Sequence, residues 1–284
     1  KVISYVLGIS FYLNVGIMHA AQEIDHLFVI VVPSYNNSAW CKKNLHSIFD
    51  QKYTNYYVIY IDDCSTDMTY EMVTDLVSQR GMEHKVILIS NKKRLGALAN
   101  HYKAVHMCKD HHIIVQLDGD DWFKHDDVLG YLNKVYQDPN VWLTYGQFEI
   151  YPYSKGKVAS ELPQHTITSS SYRQSEWVTS ALRTFYAGLC KRIDRQDLLD
   201  EGEFFAYTCD MALMFPMLEM AAGKIRFINE LLYVYNCMNP INDFKKDVLG
   251  QLNCERLIRN KTKYAPLIKA PYCLPAQLLH DECQ

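Results

Sequence analysis

The stretch of sequence that decides the fold is IIVQLDGDDW, residues 113–122. Its first part is apolar, rich in β-branched residues and too short for a buried helix, so it predicts an interior strand. Three carboxylates, Asp118, Asp120 and Asp121, then surround Gly119. Like charges repel, so this cluster predicts a bound cation, and hard divalent ions such as Mg²⁺ or Mn²⁺ take oxygen ligands. We expect Gly119 to let the backbone turn so that Asp118 and Asp120 both face the sheet edge.

An ordinary acidic turn is the alternative interpretation of the same residues. In that case the carboxylates are solvated and precede a helix that starts near His125. The position at the end of a buried strand favours the metal site, because ligands of open α/β sheets bind at the carboxyl edge of the strands.

Three more apolar strands precede this one, at residues 27–33, 57–61 and 85–90, and helical stretches separate them. Alternation of this kind predicts an α/β fold: a Rossmann-like α/β/α sandwich with a mostly parallel central sheet. The run 27–33 is apolar throughout, which indicates a central strand covered on both faces.

The polar ends of these strands are expected to meet. Right-handed crossovers place the carboxyl ends of parallel strands along one edge. Residues 33–36, 62–67 and 118–121 therefore line a single predicted cleft.

Composition narrows the class of protein. The chain has 284 residues, 49% of them hydrophobic and 21% charged, as in a globular protein with one large domain or two small ones. The formal charge of −3 and the lack of a basic stripe argue against nucleic-acid binding. Nine cysteines without a Cys-x-x-Cys pair predict neither a zinc site nor a disulfide framework.

The amino-terminal segment 1–26 is set apart from the fold. Residues 2–18 carry no charge and follow a lysine, a pattern typical of a signal peptide or membrane anchor. A helix of the domain is the alternative, because the run is short for a span of ~20 residues. We expect a membrane-associated or exported protein rather than a freely cytoplasmic one.

After residue 140 the regular alternation of apolar strands and helices ends. We predict a strand at 141–151, a loop at 152–175, helices near 177–184, 208–222 and 243–263, and a strand or hairpin at 224–235. The predicted organisation is a first half at 27–140, a second half at 141–243, and a C-terminal helix and tail at 244–284.

Four motifs occur in order along the first half: VPSYN at 32–36, IDDCSTD at 61–67, the segment 91–100 with Arg94, and LDGDD at 117–121. Together they resemble the motifs of family 2 glycosyltransferases, which are inverting enzymes with the GT-A fold. The resemblance covers about residues 27–236.

The resemblance implies a role for several residues. Tyr35 would stack on the nucleotide base, Asp63 would bind the base or ribose, and Asp120 would ligate a metal that bridges the diphosphate. The nucleotide-sugar-binding set that it implies is Pro33, Tyr35, Asn36, Asp63, Arg94, Asp118 and Gly119.

The resemblance implies a nucleotide-sugar-binding half at 27–140 and an acceptor-binding half with the catalytic base at 141–243. The stretch YTCDMAL at 207–213 is similar to the family's base motif, with Cys209 where an acid commonly stands and Asp210 in the second acidic position. Asp210 is therefore the implied base, and the alternative is a first-turn carboxylate favoured by the helix dipole. Asn236 replaces the family's usual basic residue, so Lys245 or Lys246 is the expected contact to the diphosphate.

The expected function is a metal-dependent inverting transfer from a nucleotide diphosphate sugar, expected to be a UDP-sugar, to a glycan, protein or lipid hydroxyl. Two alternatives stay open. An inactive scaffold with the same fold is suggested by Cys209 and Asn236. A sugar-phosphate nucleotidyltransferase is disfavoured because residues 33–37 are not the glycine-rich basic loop that holds a triphosphate.

Overall fold

The structure, a computed structural model, describes residues 23–153, 155–156, 159–242, 245 and 247–274. The first half alternates strand and helix, as the sequence predicts. Its elements are β1 (Phe28–Ser34), α1 (Cys41–Phe49), β2 (Tyr56–Asp62), α2 (Thr69–Gln79), β3 (Val86–Ser90), α3 (Ala97–Met107) and β4 (Ile113–Gln116).

The second half is more irregular. Short elements are β5 (Trp122–Phe123), β7 (Lys155–Gly156), α5 (Gln164–Ser169), α6 (Ala187–Cys190), β9 (Leu199–Asp200), β10 (Glu203–Phe204) and two 3₁₀ turns. Longer elements are α4 (Val128–Val135), β6 (Leu143–Tyr151), β8 (Arg183–Tyr186), α7 (Cys209–Ala221), β11 (Ile225–Asn236) and α8 (Val248–Arg259).

One sheet runs through both halves. In the described residues its strand order is β3-β2-β1-β4-β8-β6-β11-β5, with β7 attached to β6. The strands β3, β2, β1 and β4 are parallel, β8 is antiparallel to both of its neighbours, and β6 and β11 are parallel. The predicted α/β class with a mostly parallel central sheet is confirmed.

Strand β1 shows why the fold has three layers. All seven of its residues are buried, and successive side chains of a strand point to opposite faces. Val29 and Val31 join a core that includes residues of α3 and α7, whereas Ile30 and Val32 join a second core formed with α1 and α4. The helices therefore cover the sheet on both faces.

Strand β8 corrects the predicted helix at 177–184. Residues 177–182 are not helical, and Arg183–Tyr186 forms a strand between β4 and β6. A short apolar run does not distinguish a helix from a strand by itself. Hydrogen bonds from strands on both sides decide in favour of the strand.

Two other stretches differ from their predicted extent. The stretch 152–175 contains α5 and a 3₁₀ turn at Tyr172–Gln174, so it is not a structureless loop. The C-terminal helix α8 covers Val248–Arg259 rather than 243–263, and Asp247 caps it by accepting a hydrogen bond from the backbone N–H of Gly250.

The amino-terminal boundary also needs adjustment. Gln137 of the α4 region exchanges hydrogen bonds with the backbone of Ile24, and the backbone N–H of His26 donates to Asn133. Residues 24–26 are thus packed against the domain, and the segment 2–18 lies outside the described residues. No helix in the described part of the chain is long and apolar enough to cross a membrane.

A buried ion pair joins the C-terminal elements to the core. Arg173 donates to both carboxylate oxygens of Glu219 on α7, at 2.7 and 3.0 Å, and also to the carbonyl of Ile258 on α8. The Glu219 side chain is 1% exposed and that of Arg173 is 4% exposed. Removing one member of such a pair leaves the other charge buried without its partner.

Glu219→Gln is therefore expected to lower the free energy of unfolding by ~3–5 kcal/mol and the melting temperature by roughly 10 °C. Calorimetry or thermal denaturation measures the change. Asp138→Asn is the matched control, because its ion pair with Arg226 is at the surface, with side chains 39% and 49% exposed. A loss of less than 1 kcal/mol for both variants would show that the Arg173 pair does not hold these elements together.

Candidate active site

A cavity of about 330 Å³ opens at the edge where β1 and β4 end. Both halves of the chain contribute to its walls. The first half, residues 27–140, supplies the ends of β1 and β4 and the loop before α3. The second half supplies the start of α7 and the segment after β11. The sequence-predicted residues that line it are Pro33, Tyr35, Asp63, Arg94, Asp118, Asp120 and Asp210.

The three carboxylates after β4 have different surroundings. All three line the cavity, but Asp118 and Asp120 are half-buried whereas Asp121 is buried. Asp121 accepts hydrogen bonds from the Tyr233 hydroxyl and the backbone N–H of Asn236. Burial, and after it the neighbouring charges of Asp120 and Asp118, raises the pKa of Asp121 well above its usual range. Asp121 therefore connects β11 to the acidic edge, which is formed by Asp118, Asp120 and Asp121.

A divalent cation fits the chemistry of this edge. No group of three His, Cys, Asp or Glu side chains suited to hold a metal is found among the described residues. Mg²⁺, however, is usually held by one or two carboxylates together with substrate phosphates. Asp120 and Asp118 supply such oxygens, and Asn239 fixes Asp120 by donating from Nδ2 to Oδ2 over 2.8 Å.

Asp63 organises the loop before α3. It is buried, and it accepts hydrogen bonds from the backbone N–H groups of Leu95 and Gly96 and from the Asn91 side chain, all within 2.9 Å. These bonds use much of its accepting capacity. Asp63 thus shapes the cavity wall that it also lines.

Tyr35 and Arg94 form a pair at the rim of the cavity. The guanidinium carbon of Arg94 lies 4.1 Å from the centre of the Tyr35 ring, which is a cation–π contact. Tyr35 is half-buried and Arg94 is exposed. The pair offers one flat cationic surface beside the acidic edge.

Asp210 also lines the cavity and lies in the first turn of α7. One carboxylate oxygen accepts a hydrogen bond from Arg183 at 2.9 Å, and the other accepts from the backbone N–H of Met211. Its side chain is 27% exposed. A carboxylate that is oriented and partly exposed has the features of a general base.

Comparison with known proteins identifies the family. The family model described as Glycosyl transferase family 2 matches residues 29–214, more than half of the chain. The chain belongs to glycosyl transferase family 2. The matched range includes the acidic edge, the Tyr35–Arg94 pair and Asp210.

Two curated relatives show how far the sequence similarity extends. GlyG of Streptococcus pneumoniae, a glycosyltransferase, is 23% identical over 224 residues, which cover 75% of this chain and 71% of GlyG. TuaG of Bacillus subtilis is 28% identical over 100 residues, covering 35% of this chain and 38% of TuaG. This chain therefore spans little more than a third of TuaG.

Solved structures support the GT-A-type fold. TarS of S. aureus has a TM-score of 0.55 at 17% identity, over 75% of this chain and 37% of TarS. The mannosyltransferase PcManGT of Pyrobaculum calidifontis, solved with GDP-Man and Mn²⁺, has a TM-score of 0.54 at 18% identity, over 84% of this chain and 65% of PcManGT. A TarS fragment solved with UDP-GlcNAc has a TM-score of 0.52 at 14% identity, over 74% of this chain and 58% of the fragment.

Asn36 and Gly119, which the sequence predicts for the nucleotide-sugar site of this family 2 chain, are next to lining residues but are not themselves among them. Asn36 joins two loops, since its backbone N–H donates to the Ser65 hydroxyl and its side-chain oxygen accepts from the backbone of Thr66. Gly119 packs closely under β1: a Cβ added there would lie 2.6 Å from Oγ of Ser34. Close approach, rather than a left-handed turn, explains this glycine.

The lysines expected to contact the diphosphate in this family 2 chain are Lys245 and Lys246. Lys245 donates to the carbonyls of Cys237 and Asn239, so it supports the turn after β11, and Lys246 lies outside the described residues. Asn236 is buried against Asp121. These contacts of Lys245 and Asn236 are with protein atoms and do not show how a diphosphate would be recognised.

Arg183 and Asn239 are among the cavity residues that the sequence analysis did not identify. Arg183 was hidden inside the stretch predicted to be helical, although an arginine directly before an apolar run is a usable signal. The contact between Asn239 and Asp120 spans 119 residues of sequence. Such a contact has no local signal.

Proposed function

We propose that this family 2 chain transfers a sugar, with inversion and with a divalent metal, from a nucleotide diphosphate sugar to a hydroxyl acceptor. The observation that carries the proposal is that one cavity has Asp118 and Asp120 on one wall and Asp210 on another. Donor and acceptor have to meet between a charge-stabilising edge and a base, and this arrangement provides both.

The donor diphosphate is assigned to the acidic edge. Asp120, fixed by Asn239, and Asp118 would hold Mn²⁺ or Mg²⁺ there. When bound, the cation offsets the charge that develops on the leaving diphosphate. The Mn²⁺ and nucleotide-sugar complexes of PcManGT and the UDP-GlcNAc complex of TarS support this class of ligand.

The nucleoside is assigned to the surface formed by Tyr35 and Arg94. An aromatic face and a guanidinium plane are both suited to stacking on a base. We assign the donor as a UDP-sugar, with Asp63 holding the loop against which the base and ribose pack.

The chemical step is a single displacement. Asp210 takes the proton of the acceptor hydroxyl as that oxygen bonds to the anomeric carbon. The bond from that carbon to the diphosphate oxygen breaks, and the diphosphate leaves with the electron pair. Because attack comes from the face opposite the leaving group, the configuration at the anomeric carbon is inverted.

The acceptor, a glycan, protein or lipid hydroxyl, is assigned to the wall built by the second half. Ala206, Cys209, Ile241 and Gln251 of α8 line this side of the cavity. The described residues of 152–175 are not among the lining residues, so we place acceptor selection on the start of α7 and on α8.

Transfer and hydrolysis assays with a panel of nucleotide sugars, with and without Mn²⁺, test the proposal. A UDP-sugar is expected to support metal-dependent turnover. It is also expected to raise the unfolding free energy by ~2.7 kcal/mol at 100 times its dissociation constant. Binding without turnover would favour an inactive scaffold, and turnover of a sugar phosphate with a nucleoside triphosphate would favour a nucleotidyltransferase.

Membrane association or export is proposed to depend on residues 2–18. Removing residues 1–22 is expected to leave a soluble domain with wild-type transfer activity, because the contacts of Ile24 and His26 with the α4 region are kept. Size-exclusion chromatography and transfer assays measure the outcome.

A second truncation, of residues 1–26, is the control for this boundary. It removes the His26 contacts and should lower the melting temperature. Aggregation of the shorter truncation, by contrast, would show that residues 1–22 are part of the folded domain.

A further inference from the structure

Arg183 occupies a distinctive place in the sheet. It begins β8 opposite Gln116, the last residue of β4, and the two strands are antiparallel. Because β4 leads two residues later into Asp118, Arg183 emerges beside the acidic edge. It lines the cavity, and its side chain is 14% exposed.

The guanidinium is held in a fixed direction by two bonds. Its Nε donates to the carbonyl of Thr179 at 3.2 Å, and Nη2 donates to Oδ2 of Asp210 at 2.9 Å. A guanidinium is planar, so satisfying Nε sets the direction in which Nη2 points. Asp210 is thereby held through one oxygen by Arg183 and through the other by its own helix.

A buried histidine close enough to Arg183 to be affected by its charge does not itself carry a charge. His101 on α3 is buried, and this burial, followed by the charge of Arg183, lowers its pKa to about 3. The imidazole is therefore neutral at physiological pH. Asp210 is thus oriented by the guanidinium and not by a histidine cation.

We propose that Arg183 is a positioning residue of the transfer reaction, aiming the carboxylate of Asp210 at the acceptor hydroxyl. The inference rests on the proposed function, because it takes Asp210 as the base. It adds a structural link: the pair connects the start of α7 to the strand next to β4, so the base has a set position relative to the donor.

Lysine is not an equivalent residue at this position. A single ammonium group keeps the charge, but it lacks the planar fork that contacts Thr179 and Asp210 together. Arg183→Lys is therefore expected to recover only part of the activity lost in Arg183→Met. A purely electrostatic role would give full recovery with lysine.

The experiment is a double-mutant cycle on transfer kinetics. Wild type, Arg183→Met, Asp210→Asn and the double variant are compared with a UDP-sugar and Mn²⁺. Because misplacement of a reacting group by about 1 Å costs up to ~10²-fold, Arg183→Met is expected to lower kcat by ~10- to 100-fold. The donor KM and the Mn²⁺-dependent affinity for UDP should not change.

The double variant separates positioning from an independent contact. If Arg183 acts through Asp210, the double variant is as slow as Asp210→Asn alone. Multiplying effects, or a tenfold loss of UDP affinity in Arg183→Met, would overturn the proposal in favour of a direct contact with the diphosphate. Arg226→Met is the control, because it removes an Arg–Asp pair of similar length outside the cavity lining.

Failure of the inference and failure of the proposed function are distinguishable. If the wild-type protein transfers sugar and Arg183→Met keeps its kcat, the positioning role alone is wrong. If the wild-type protein turns over no donor in the panel, the proposed function is wrong and the inference falls with it.

Discussion

Asp120→Asn is expected to abolish metal-dependent binding of UDP while leaving the fold intact. The substitution removes one of the two half-buried carboxylates that line the cavity after β4, and a neutral amide is a poorer ligand for a hard cation. The amide oxygen can still accept the hydrogen bond from Asn239. Removing one of several crowded negative charges also relieves repulsion, so the melting temperature should not fall.

Titration calorimetry of UDP with Mn²⁺ present and absent measures this effect. Asp126→Asn is the matched control, because Asp126 pairs with Lys52 at an exposed site and is not a lining residue of the cavity. Unchanged Mn²⁺-dependent binding of UDP to Asp120→Asn would mean that the metal, if any, is held elsewhere.

Asp210→Asn is expected to slow sugar transfer by ~10²-fold or more, the scale of losing a general base. Donor and metal affinity should stay at the wild-type level, because Asp210 lies on α7 and is bonded to Arg183 and to its own helix rather than to Asp118 or Asp120. Hydrolysis of the donor without acceptor is able to persist, since water has other routes to the anomeric carbon. Steady-state kinetics at saturating donor, with UDP affinity measured in parallel, tests the split.

Two other acidic residues of the second half, Glu203 and Glu219, serve as comparisons for Asp210→Asn. Glu203 is exposed on the β9–β10 hairpin, so Glu203→Gln is a suitable control that should transfer at the wild-type rate. Glu219 is buried with Arg173, so its substitution reports on stability and not on base chemistry. Near wild-type transfer by Asp210→Asn would place the base elsewhere.

The first half of the fold was predictable because its central strands, β1 and β4, are buried along their whole length. Each is apolar up to a final polar residue, Ser34 or Gln116, so the ends of these strands are easy to locate. The convergence of residues around 33, 63 and 118 followed from the handedness of parallel crossovers. Here local pattern and global topology point to the same cavity.

The second half was less predictable because its elements depend on distant partners. The four residues of β8 adopt a strand through pairing with β4 and β6, and no local period marks them. The same misassignment concealed Arg183. Gly119 was found from the sequence, but its physical reason is the close approach of Ser34, which only the packing reveals.

The position of β8 has a consequence for how substrates enter and leave. Because β8 is hydrogen-bonded to β4 on one side and to β6 on the other, the two walls belong to one continuous frame. A rigid-body movement of the two walls away from each other would break the hydrogen bonds that pair β8 with β4 and β6. Under the proposed function, the donor is expected to enter and leave at the rim, where Arg94 is exposed over Tyr35, and structures with and without UDP should superpose closely over the whole sheet.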